Sequence, residues 1–110
     1  MSAPTPPDPN LLKTVLQPLL EDFQYWFGRS RTLLESERLS FLSDEQQESL
    51  LARVKQAQQE VSSTQLLFEA MGAQVGVETS TLMPWHNLVQ ECWHVAMRFR
   101  AEQNPSGSAG

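Results

Sequence analysis

Glu91-Cys92-Trp93-His94 places a carboxylate and an imidazole three residues apart, the spacing at which two side chains of one helix reach a single metal ion. Carboxylate-bridged di-metal bundles use two such Glu-x-x-His pairs and a glutamate from each of two further helices. This chain has one pair, and its other histidine, His86, lies eight residues before His94. A second copy would have to complete the site, so a metal-binding or redox bundle assembled by dimerisation is the alternative chemistry, with Glu91 and His94 as ligands. On a helical wheel both residues fall on the polar side with Asn87 and Arg98, which favours a surface network of Glu91, His94 and Arg98 instead. A third chemistry on the same stretch is a pigment or haem held by His86 among Trp85, Trp93 and Met97.

Conventional catalysis has weaker footing. Cys92 lies on an apolar face between Trp85 and Phe99, with no histidine on that face to activate it, and reads as an inert buried thiol. The carboxylates are spread along solvated faces: Glu21 and Asp22, then Asp44, Glu45 and Glu48, then Glu60 and Glu69. None is isolated in apolar surroundings that would tune it for proton transfer. There is no glycine-rich phosphate loop, no serine nucleophile motif and no cysteine cluster. The expectation is a protein that is not an enzyme and holds no cofactor.

Charge and length narrow the classes further. Eight basic and thirteen acidic residues leave a net charge of −5, and the scattered arginines and lysines argue against binding nucleic acid. A single cysteine cannot form an internal disulfide, and no basic start leads into an apolar run and cleavage site, so the expected compartment is the cytoplasm. Uninterrupted apolar runs are three residues at most, against roughly 18 for a bilayer span. Contact with a membrane would be peripheral.

The elements that must position these residues are helices. Leu12, Leu16, Leu19, Phe23, Trp26, Ser30 and Leu33 recur in steps of four and three, the apolar seam of a helix lying along other helices. Asp8-Pro9 is a start signal, and Met1–Pro7, with three prolines, reads as a disordered leader. Pro18 interrupts the helix without changing the phase of the seam, which fits a kink rather than a break. Ser43 with Gln46 forms a capping-box pattern for a second helix, whose seam is Leu50, Val54, Ala57, Val61, Thr64, Phe68 and Met71, ending at Gly72. Residues 72–79 read as a loop. Thr81 is the expected cap of a third helix, with Pro84 in its first turn and Trp85, Leu88, Cys92, Val95 and Phe99 facing inward. Asn104-Pro105 ends it, and residues 104–110 form a flexible tail. The expected fold is all-α: an antiparallel bundle of three long helices over residues 8–103, packed like a coiled coil, with the first helix kinked at Pro18.

Helix three is greasier than such a bundle requires. Val89, Trp93, Ala96 and Met97 flank its inward face, and the combined apolar arc exceeds half the circumference, whereas an outer helix needs a stripe of about 100–140°. Two explanations stand. The kinked first helix and the loops fold over Trp93 and make it core, or Val89, Trp93 and Met97 form a contact surface for another protein or a second copy. Leu66, pointing away from the seam of helix two, extends that surface. The uncharged glutamine face of helix two reads as soluble exterior, and Gly28 lies on the outward side of helix one, either admitting a close backbone or tolerated as drift.

At LLEDFQYWF (Leu19–Phe27), LLARVKQAQQEV (Leu50–Val61) and LMPWHNLVQECWHVAMRFR (Leu82–Arg100) the chain resembles a family of small uncharacterised proteins found in cyanobacteria. The likeness runs from about Leu11 to Arg100. It implies a lineage and a cytoplasmic or thylakoid-facing setting, and carries over no site residues. The leading functional expectation is a non-enzymatic interaction or adaptor protein that uses the apolar surface of helix three.

Overall fold

The computed structural model describes residues 9–71 and 79–103, with side chains from residue 14 in the first segment and residue 80 in the second. The proline-rich leader, Asp8, the Leu12 side chain, Gly72 with its loop and the tail after residue 103 lie outside the described residues. Three helices follow in order: α1 (Pro9–Ser36), α2 (Asp44–Met71) and α3 (Thr79–Gln103), with no strand among the described residues. At 1.5 Å per residue, the 28 residues of α1 and of α2 each extend about 42 Å.

The start of α2 is set locally. Ser43 Oγ accepts from the Gln46 backbone N–H at 3.1 Å, and the Gln46 side chain accepts from the Ser43 N–H at 2.8 Å, so two donors at the helix start are satisfied reciprocally. Asp44 and Glu45 add negative charge at the positive end of the helix dipole. Pro18 stands inside α1, which runs as one helix from Pro9 to Ser36.

Helix α3 begins at Thr79, three residues before the Leu82 start that a Thr81 cap implies, so Thr81 is inside the helix. Pro84 accordingly falls in the second turn. It lies on the exposed side of the helix, away from the core.

Side-chain pairings give the register. Gln24 meets Ser62 while Arg31 meets Gln58, so α1 and α2 are antiparallel. Phe23 meets Trp85 and Trp26 meets Trp93, so α1 and α3 run parallel, and α1 packs along both neighbours. That double role widens its buried arc. Gln24, Gly28 and Arg31 approach α2, Phe23, Trp26 and Ser30 approach α3, and Leu20, Phe27 and Leu34 between those stripes are deeply buried. The expected seam through Leu19, Trp26 and Leu33 is therefore only partly buried, because it was drawn for one neighbour and the helix has two.

The seam of α2 is as expected from Leu50 through Phe68, whereas Met71 is exposed at the helix end. Trp85, Leu88, Val89 and Cys92 complete the core from α3. Each fully buried Leu, Val or Phe adds about 1.5–3 kcal/mol relative to its exposed state. The connection between α1 and α2 is closed by Gln47, a buried polar residue. Its Nε2 donates to the carbonyls of Leu34 at 3.0 Å and Glu37 at 2.7 Å, and its Oε1 accepts from the Leu39 N–H at 3.1 Å and from Arg38 at 2.6 Å. Two carbonyls at the end of α1 thus find donors inside α2.

Candidate functional site

The three helices leave three seams at the surface, and their chemistry differs. Between α1 and α2 the seam is closed by amides, with Gln24 Nε2 donating to the Gln58 carbonyl at 3.1 Å and to Ser62 at 2.8 Å. Between α2 and α3 it is bridged by charge, beside a groove of about 570 Å³. Arg53 holds Glu91 through two bonds of 2.9 and 2.7 Å, and Trp85 Nε1 donates to Glu60 at 3.1 Å. Between α1 and α3 the contacts are the Trp26 and Trp93 ring pair and a hydrogen bond between Ser30 and Cys92.

The seam between α1 and α3 is a groove of about 540 Å³. Trp26, Leu33, Trp93, Met97 and Phe99 make its apolar walls, Ser30 and Cys92 line it as well, and Arg29 and Arg100 are its only charged lining residues among those described. Trp26 and Trp93 meet edge to face at 5.5 Å and 84°, the arrangement favoured by the positive edge and negative face of aromatic rings. Tyr25 extends this row, its ring 5.0 Å from Trp26 at 80°, and its hydroxyl accepts from Arg29 at 3.0 Å. Trp93 stays 38 % exposed and Met97 61 % exposed. The alternative in which the chain folds over Trp93 is therefore not what the packing does.

Val89 requires a correction. It is only 3 % exposed and belongs to the core cluster, because it lies four residues after Trp85 on the same line of α3 and turns with it toward α1. Leu66 is indeed exposed, at 66 %, but belongs elsewhere. Arg53 faces Glu91, and Leu66 lies thirteen residues further along α2, about 20 Å down the bundle and away from Trp93. Leu67, Met71 and Met83 are exposed as well.

The metal-ligand pair is drawn apart by the same register. Glu91 is engaged bidentately by Arg53, which holds its carboxyl below the ordinary carboxylate range despite an opposing contribution from burial. Arg98 stacks over the Phe41 ring at 4.6 Å, so the expected network of Glu91, His94 and Arg98 does not form. Among the described residues no three His, Cys, Asp or Glu side chains converge as metal ligands. His86 is exposed and lies 3.2 Å from the Gln90 amide, while Trp85 is buried against Phe23 and Glu60, so the residues of the haem reading face different ways. Burial pushes the Cys92 thiol above its ordinary value, opposed by a hydrogen bond with Ser30, which makes it a poor nucleophile at neutral pH.

Arg29 and Arg100 were not distinguished in the sequence from the other scattered basic residues. The spacing carried a signal nonetheless: Arg29 follows Tyr25 by four and Arg100 follows Trp93 by seven, which places each cation on the line of an exposed aromatic. No described helix is long and apolar enough to cross a membrane. A family model described as "Protein of unknown function" matches residues 6–101. No curated protein and no solved structure matches the chain.

Proposed function

The chain belongs to the DUF2605 family, whose description assigns no activity, and we propose that it is a non-enzymatic interaction protein that takes a partner helix into the groove between α1 and α3. The supporting observation is Trp93: packed edge-on against Trp26 yet more than a third exposed, beside the largely exposed Met97. A half-seated tryptophan at the centre of an apolar groove is the form that interface anchors take, since it is held rigid before binding and still has surface to bury. A helix laid along parallel α1 and α3 would turn the three-helix arrangement into a four-helix one, with the same knobs-into-holes packing. We propose further that this assembly belongs to the cytoplasm, or to a thylakoid-facing surface, of a cyanobacterial cell, as the resemblance described above implies.

Sedimentation of the natively expressed chain in cell extract tests the reading. The wild type runs in a species larger than its own 12.4 kDa, and Met97→Glu or Trp93→Ala runs at monomer size with helical content retained. A wild type already at monomer size, or variants that stay in the larger species, would overturn it.

A further inference from the structure

We infer that the occupant of this groove is a helix of another protein whose apolar stripe is flanked by carboxylates; the inference rests on the helix-docking function proposed above. The charge of the lining carries it. Arg29 on the α1 wall and Arg100 on the α3 wall are, among the described residues, the only charged groups lining the groove. Of the four ion pairs formed among the described residues, none includes either arginine. Arg29 bonds only the neutral hydroxyl of Tyr25. In a chain with a net charge of −5, Arg29 and Arg100 have no carboxylate partner among the described residues, and both stand beside an apolar groove, whereas Arg98, likewise without an ion pair, is stacked over Phe41. An incoming glutamate or aspartate on each side of an apolar stripe would meet a guanidinium able to bind it through two bonds.

A second copy of the chain fits worse. Joined face to face by a twofold axis, two grooves would bring four arginines together in a drying interface with no acid among their lining residues. The acidic start of α2 cannot serve as the ligand either, because its apolar stripe, Leu50, Val54 and Ala57, is already spent in the chain's own core. A lipid surface also fits worse, since a flat bilayer does not fill a concavity between two rods, and a chain of net charge −5 is repelled by anionic headgroups.

The test uses the full chain and three synthetic helical peptides of about 20 residues, identical in their leucine stripe and flanked by Glu, Gln or Lys, titrated by tryptophan fluorescence. The Glu-flanked peptide is expected to bind about tenfold more tightly than the Gln-flanked one, with the Lys-flanked one weakest. The order of Glu and Lys peptides inverts in the double variant Arg29→Glu, Arg100→Glu, whose helical content is checked by circular dichroism. Equal binding of Glu and Gln peptides, or an order that persists in the double variant, overturns the inference and leaves helix docking standing. No response to any peptide at about 100 µM removes the docking reading as well. Two further results overturn the inference: a dimer of the chain alone that Met97→Glu dissociates, or binding to phosphatidylglycerol vesicles that the Glu-flanked peptide does not displace.

Discussion

The indole of Trp26 stands edge-on to that of Trp93, 5.5 Å away, and ties the centre of α1 to the centre of α3 at the surface rather than in the core. Both rings are thereby fixed before any partner arrives, so little side-chain entropy remains to be lost on binding. Met97 and Arg100, one and two turns further along α3, share the exposed line that this pair anchors.

Gly28→Ala separates the needs of the isolated chain from those of the complex. A Cβ at this position meets only the Gln58 amide at 3.9 Å, an ordinary contact, so the variant is expected to be more stable by about 0.5–1 kcal/mol in urea unfolding. The native assembly is expected to be unchanged, because Gly28 faces α2 and does not line the groove between α1 and α3.

Gln47→Met keeps the volume and removes every hydrogen bond of the buried amide. The carbonyls of Leu34 and Glu37 and the N–H of Leu39 lose a partner at once. The expected loss is about 2–4 kcal/mol in chemical denaturation, larger than that of any exposed glutamine of α2 changed to alanine.

Ser43→Ala removes half of the reciprocal cap at the start of α2. With the Gln46 N–H left to solvent, a loss of about 1 kcal/mol is expected. Far-UV circular dichroism should show the first turn of the helix fraying rather than the bundle unfolding.

Acid dependence isolates the Arg53 and Glu91 pair. The hydrogen bonds from Arg53 hold the native Glu91 carboxyl below its ordinary value, so on acidification the unfolded chain takes up this proton first. The pair's stabilisation is complete above the ordinary carboxylate range and is lost as pH falls through the lower native value. Because both side chains are about half exposed, at 51 % and 47 %, solvent screening limits the effect to less than about 1 kcal/mol. Unfolding of wild type and Glu91→Gln compared near pH 7 and near pH 3 should show a gap that closes at the lower pH.

What was legible in the sequence was what is local. The Ser43 and Gln46 cap spans three residues, and the α2 seam repeats along one helix with one main neighbour, so both could be read without knowing the fold. The α1 seam came out rotated because its second neighbour arrives from 60 residues away, as Phe23 and Trp85 do. Val89 and Trp93 are four apart and look alike on a wheel, yet one is core and the other groove wall, a distinction set by which side of α3 meets α1. Gln47 and Arg53 resemble solvated polar residues until the chain register supplies Leu34 and Glu91. The groove's charge was hidden for the same reason, since Arg29 and Arg100 become neighbours only when α1 and α3 lie side by side.

The Gln47 clamp also bears on the order of assembly. Its partners lie within thirteen residues, so the hairpin of α1 and α2 can close and lock quickly, whereas α3 must be gathered from a greater chain separation and rests chiefly on α1. Amide hydrogen exchange should therefore be fastest in α3, the last rod to dock and the first to lift. A companion lodged beside Trp93 would work as a latch, slowing exchange most in the rod that otherwise rests chiefly on α1.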